Sequence, residues 1–242
     1  MSSLLLFVLV TLGALVTSLT GLGGGTLVLA GLLLVFPPTI AIPLHSFNQL
    51  AANGLRTGIF FKQVNWKVVA AYALLMIPAA WVGAKIFHLV NPSWLKIIVG
   101  SFILISVLPI SVHPKSEPRF RTFVFLGALS GFLGVFVGAV GPLVTPFFNR
   151  LKIERQGMLS TKSAGQALLQ ISKIIAFWGA AGIDFVQLQD HVLILILGSL
   201  VGVALSIPIS KKISDQKFNL IINILLGAIA IKILYEGVTE LI

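Results

Sequence analysis

Leu19-Thr20-Gly21-Leu22-Gly23-Gly24-Gly25-Thr26 sets a run of glycines between two strongly apolar segments. Each glycine costs about 1 kcal/mol relative to alanine inside a helix, so the run predicts a break in the chain. The flanking segments are lipid-like, which puts that break within a membrane. Unpaired backbone groups are costly in hydrocarbon, and irregular backbone persists there only when buried in protein or lining a polar cavity. The run is therefore a candidate substrate site.

Across the whole chain 57% of the residues are apolar, 10% are charged and none is cysteine. Soluble domains are roughly 45–50% apolar and about 25% charged. Several windows of Leu, Ile, Val, Ala and Phe reach the roughly 20 residues needed to cross a bilayer. They lack the alternation of barrel strands, so an all-α polytopic integral membrane protein is predicted. The absence of cysteine excludes disulfides, thiolate catalysis and Cys-based metal sites. There are 17 Lys and Arg against 7 Asp and Glu, but the basic residues are spread over short loops, a pattern that sets orientation in the lipid bilayer and not one for nucleic acid. The first twenty residues lack a basic n-region and a small-x-small cleavage site and read as a retained helix.

Apolar helices are predicted at Leu4–Leu19, Thr26–Phe36, Thr39–Phe61, Trp66–His88 and Trp94–Val112, then at Thr122–Val137, Pro142–Phe148, Gly157–Gly179, His191–Ser210 and Phe218–Tyr235. The polar stretch His113–Arg121 links the two sets. One sequence shift carries Gly21 onto Gly138, Gly24 onto Gly141, Ser46 onto Ser163, Gln49 onto Gln166, Asn53 onto Gln170 and Arg56 onto Lys173. The chain thus divides into repeats 1–112 and 122–242 joined by a linker, 113–121, within a single membrane domain. Basic loops place Lys62 and Lys67, Lys115 to Arg121, Arg150 to Arg155, and Lys211 to Lys217 on the cytoplasmic side. The loop with Asp184 and Asp190 and the tail with Glu236 and Glu240 read as outside. Equivalent loops then lie on opposite sides, so the repeats have inverted topology. Each is expected to be a Gly-broken helix hairpin followed by three membrane-crossing helices, with both termini outside the plasma (inner) membrane.

Inverted-repeat transporters hold substrate near the midplane, where discontinuous helices aim free N–H groups at anionic ligands. Gly24, Gly25 and Thr26 open one short helix, and Gly141 with Pro142 opens the other. A helix N-terminus offers unpaired donors and about half a positive charge. Ser46, Gln49, Asn53 and Arg56 step by three, four and three along one helix face, and Ser163, Gln166, Gln170 and Lys173 repeat the stripe. Polar groups at membrane depth face a cavity, a partner or the bundle interior. Arg56 and Lys173 sit near helix ends, where they can bind substrate or snorkel. Lys162 lies nearer a loop, and His45 is the one histidine placed for proton coupling. No Asp or Glu precedes Glu117, and the later ones sit in loops or at helix ends, which disfavours a cation substrate. What remains suits a small anionic substrate. No nucleophile, acid–base pair or metal cluster is visible, so no enzyme activity, cofactor or metal is expected.

At these residues the chain resembles the TauE/SafE sulfite exporter family, also called the 4-toluene sulfonate uptake permease family. The matching segments are GLGGGTL at Gly21–Leu27, AIPLHSFNQLAANGLR at Ala41–Arg56, GAVGPLVTPFF at Gly138–Phe148 and STKSAGQALLQISK at Ser160–Lys173. The resemblance implies transport of sulfur-containing anions such as sulfite, sulfoacetate, other organosulfonates or thiosulfate. A carrier for another anion, such as a carboxylate, and a non-transporting membrane scaffold or sensor are the alternatives. Val140 and Pro142 stand where the first repeat has Gly23 and Gly25, so the two halves are not equal in detail.

Overall fold

The computed structural model describes residues 3–20, 24–108, 117–209 and 215–242. Gly21–Gly23 of the glycine run, His113–Ser116 of the linker, and Lys211 and Lys212 of one basic loop lie outside the described residues. The elements in chain order are α1 (Ser3–Thr20), α2 (Gly24–Leu33), α3 (Pro38–Ile59), α4 (Trp66–Ala73), α5 (Met76–Phe87), α6 (Pro92–Val107), α7 (Phe120–Val137), α8 (Gly141–Phe148), α9 (Arg155–Gly179), α10 (Gln189–Ile209) and α11 (Asp215–Thr239), with a 3-10 turn at Phe61–Gln63 before α4. Among the described residues four spans are long and apolar enough to cross a membrane: Trp66–Phe87, Phe120–Val137, Gln189–Ser206 and Leu220–Thr239. The chain is a multi-pass helical membrane protein.

One predicted helix is interrupted. Trp66–His88 was expected as a single element, but it breaks at Leu74 and Leu75 into α4 and α5. Pro78 is the cause: it has no N–H for the Leu74 carbonyl four residues back, and its ring crowds that oxygen. Together α4 and α5 still make a 22-residue span. The short helices α2 and α8, of 10 and 8 residues, rise only about 15 Å and 12 Å and cannot cross alone.

The packing centres on α3 and α9, which lie against each other; α10 flanks α3, while α4 and α5 flank α9. Around them α1 packs on α10, α7 on α4 and α5, and α6 on α11. These contacts are close because glycines sit at the crossings. A Cβ at Gly127 of α7 would stand 1.7 Å from the Tyr72 carbonyl oxygen of α4, and one at Gly202 of α10 would stand 2.3 Å from the Thr11 carbonyl oxygen of α1. Small residues let membrane helices approach backbone to backbone, where dispersion and not hydrophobic exclusion holds them. Outward-facing side chains such as Leu4, Phe125, Trp178 and Ile224 are exposed, as a lipid-facing surface requires.

α3 and α9 are the two most polar long helices, and they carry their polar groups inward. On α3, His45, Ser46 and Asn48 have no exposed surface, and on α9 Lys173 has none. Burying such groups is costly unless they are hydrogen-bonded. Asn48 Nδ2 donates to Ser199 Oγ of α10, and Ser199 Oγ donates to the Leu195 carbonyl at 2.6 Å. The backbone N–H of Asn65, which caps α4, donates to Thr161 Oγ1 of α9 at 2.9 Å.

Candidate functional site

A cavity of about 60 Å³ opens where the starts of α2 and α8 meet the polar faces of α3 and α9. That is several times what one water needs. From α2 it is lined by Gly25 and Thr26, and from α3 by His45, Gln49, Asn53 and Arg56. Ala139, Gly141, Pro142 and Thr145 line it from α8 and the bend before it, and Lys162, Gln166 and Gln170 line it from α9. No lining residue is Asp or Glu. The α9 residues recur every fourth position and those of α3 every third or fourth, so each set forms one stripe facing the cavity.

Each part of the lining has a local cause. The glycines permit the short helices to begin inside the bundle: Gly24 and Gly25 form the first turn of α2, and Pro142 sits in the first turn of α8, where a missing N–H costs nothing. Gly138 ends α7 with φ of 72°, a left-handed conformation that disfavours any side chain, and a Cβ there would also stand 2.6 Å from Leu29. A Cβ at Gly25 would lie 2.9 Å from Gln49 Oε1, so only glycine lets that amide reach the start of α2.

Hydrogen bonds fix most of the polar side chains. Asn53 Nδ2 donates to the Gln49 carbonyl at 2.9 Å and reaches Gln49 Oε1 at 3.4 Å, while Gln49 Nε2 donates to Asn48 Oδ1 at 2.8 Å. His45 Nε2 meets the Gly25 carbonyl at 2.8 Å, and since a carbonyl only accepts, that nitrogen carries the proton. This contact ties α3 to α2. Lys162 Nζ donates to Thr145 Oγ1 at 3.3 Å, and Thr145 Oγ1 donates to the Gly141 carbonyl at 2.6 Å. Gln166 Nε2 lies 3.2 Å from the Tyr72 hydroxyl, whose ring packs edge-on against Phe148 of α8.

Of the residues singled out in the sequence, Gly25, Thr26, Gln49, Asn53, Arg56, Gly141, Gln166 and Gln170 line this one cavity, with His45 beside them. Gly24 stands at the first position of α2. Ser46, Ser163 and Lys173 are buried outside the lining. Ser46 Oγ donates to the Ile42 carbonyl of its own helix at 3.3 Å, and Ser163 Oγ meets no partner among the described residues. Lys173 Nζ donates to the Gly138 carbonyl at 2.9 Å and to Gln170 Oε1 at 3.2 Å. The stripe on each helix is thus turned slightly from the one expected, with His45 and Lys162 in place of the two serines.

Lys162, Thr145 and Tyr72 carry more of the site than their sequence positions suggest. Lys162 is only 8% exposed although it stands near a loop in sequence. A cation eight positions into α9, paired by the repeat with His45, was its signal. Thr145 is the sole hydroxyl of α8. Tyr72 gives no sign in the sequence beyond being one of two tyrosines, set within an apolar span.

A multi-pass helical bundle enclosing a polar cavity lined by Arg56, Lys162, amide and hydroxyl groups, with two short helices beginning at it, has the architecture of a membrane transporter. The chain belongs to the sulfite exporter TauE/SafE family, whose model matches residues 5–233. Neither the curated proteins nor the solved structures gave a match to it.

Proposed function

We infer that the protein is a secondary carrier for small sulfur-containing anions, with sulfite, sulfoacetate or a similar organosulfonate held in this cavity. The observation that carries the inference is the lining itself: Arg56 and Lys162 supply positive charge, Gln49, Asn53, Gln166, Gln170 and Thr145 supply hydrogen-bonding groups, and no carboxylate is present. Guanidinium and ammonium groups bind oxyanions through charge-assisted hydrogen bonds, which are stronger and shorter than neutral ones. The first turn of α2, at Gly25 and Thr26, adds backbone N–H groups at the same place, and Gly141 adds one at the start of α8.

Substrate exchange between the two sides follows from two inverted repeats, 1–112 and 122–242, that alternate access around this point. Support comes from the way packing partners exchange: α1 meets α10 as α7 meets α5, while α3 with α9 and α6 with α11 pair across the repeats. His45 and Lys162, Gln49 and Gln166, and Asn53 and Gln170, equivalent under the repeat, all reach the cavity. The plasma membrane, with both termini outside, is the setting the loop charges favour. His45, held to the Gly25 carbonyl, is the group available for proton coupling.

Purified protein in liposomes should move labelled sulfite or sulfoacetate down an imposed gradient. A thermal-shift screen over sulfite, thiosulfate, sulfoacetate, taurine and small carboxylates ranks the ligands. Taurine should bind poorly because its ammonium meets no carboxylate. Equal flux of a carboxylate would favour the broader anion carrier, and no flux of any anion would leave a scaffold or sensor.

A further inference from the structure

Three glutamines reach the cavity, and an amide shows an anion either two N–H donors or a carbonyl oxygen, depending on which way it is turned. The orientation of Gln166 is not dictated by its neighbour, because the Tyr72 hydroxyl at 3.2 Å can donate or accept. Gln49 is oriented by neutral amides: Asn48 Nδ2 is spent on Ser199 Oγ, whose own proton goes to the Leu195 carbonyl, so Asn48 Oδ1 faces Gln49 and accepts from its Nε2 at 2.8 Å. Gln170 is different. Its Oε1 lies 3.2 Å from Lys173 Nζ, which donates to it.

Lys173 is in turn held in place. Nζ donates to the Gly138 carbonyl at 2.9 Å, at the left-handed turn that ends α7. The side chain is fully buried, so releasing either bond would strand a polar group away from water. With Oε1 engaged by Lys173, the Gln170 Nε2 amide points the other way. Gln170 lines the cavity, and no protein acceptor meets that nitrogen among the described residues.

We propose that Lys173 is a positioning residue for anion selection: by occupying Gln170 Oε1 it turns the Gln170 N–H groups into the cavity as fixed donors and keeps a repelling carbonyl oxygen out. Lys173 does not touch the anion; it acts through Gln170. The proposal rests on the anion-carrier reading above.

The test is a double-mutant cycle on sulfite flux in liposomes, with KM and maximal rate measured separately. Gln170→Met should raise KM roughly 10- to 100-fold, the loss of a hydrogen bond to a charged group. Lys173→Met frees the amide to turn and should raise KM about 2- to 10-fold, on the scale of a neutral hydrogen bond. Added to Gln170→Met, it should change KM by less than about 2-fold, because the two substitutions remove one function. Lys173→Arg, which keeps donors, should recover most of the wild-type KM. An equal effect of Lys173→Met with and without Gln170 overturns the proposal, since Lys173 would then act directly or through packing alone. Gln170→Glu keeps a partner for Lys173 and should fold even where Lys173→Met does not. A wild-type KM in Gln170→Glu would also overturn the proposal. Absence of flux in the wild-type protein would instead sink the carrier reading, a separate result.

Discussion

Gly127→Ala is the sharpest test of how the site is supported. The added methyl would stand 1.7 Å from the Tyr72 carbonyl oxygen, 2.7 Å from its carbonyl carbon and 3.2 Å from its Cα. All three are backbone atoms, so no side-chain rotation relieves the clash, and α4 and α7 must part by more than an ångström. Overpacking of this kind costs about 1–3 kcal/mol. Tyr72 moves with α4, and its hydroxyl is already 3.2 Å from Gln166 Nε2, so that bond is lost as well, at about 0.5–1.5 kcal/mol. The total of roughly 2–4 kcal/mol corresponds to a fall of about 5–15 °C in Tm at 2–4 °C per kcal/mol. Thermal unfolding of the detergent-solubilised protein, followed by tryptophan fluorescence, measures it. Gly54→Ala is the control: a Cβ there meets nothing within 4 Å, and Tm should hold or rise. A Gly127→Ala protein that melts with the wild type would refute the contact between α4 and α7 at Tyr72.

Arg56→Ala and Lys162→Ala should each cut sulfite affinity roughly 10- to 100-fold in flux or binding assays, as expected for a lost charged hydrogen bond. Arg56→Lys should recover part of the loss, since it keeps charge without the planar fork. Because the chain has no cysteine, single cysteines at Ser3 and Ile242 report topology directly; a membrane-impermeant maleimide should label both from outside, and labelling at only one end would contradict inverted repeats. At the C-terminal tail, hydrogen bonds from Lys96 and then Ser93 hold the Glu240 carboxyl below its usual range. A carboxyl with a depressed pKa stabilises the fold above its unfolded value of about 4.3 and loses that contribution as pH falls through the folded value. Glu240→Gln should therefore flatten the acid side of the melting profile, and an unchanged profile would count against the Lys96 contact.

The helices were legible in the sequence because hydropathy and glycine placement are local signals. Apolar runs gave nearly every element to within a few residues, and the glycine clusters marked where α2 and α8 begin. The break at Leu74 and Leu75 was also locally coded, by Pro78, though the apolar run on either side masked it. What the sequence could not supply was the fate of two cations that occupy equivalent places on similar stripes. Arg56 faces the cavity, whereas Lys173 meets the carbonyl of Gly138, a backbone atom from another helix whose position depends on the turn ending α7. Periodicity shows which face of a helix is polar but not what stands opposite it. Tyr72 was hidden for the same reason, since its hydroxyl finds Gln166 only after α4 and α9 pack together.

The inward polarity of α3 bears on how the chain enters the bilayer during synthesis. A helix carrying His45, Asn48, Gln49 and Asn53 along its length and Arg56 in its last turn is a poor substrate for one-at-a-time insertion, since buried polar groups are costly unless hydrogen-bonded. Its partners, Ser199 on α10 and the polar face of α9, emerge from the ribosome more than a hundred residues later. The polar face of α3 is thus sheltered only once the second half of the chain has packed against it.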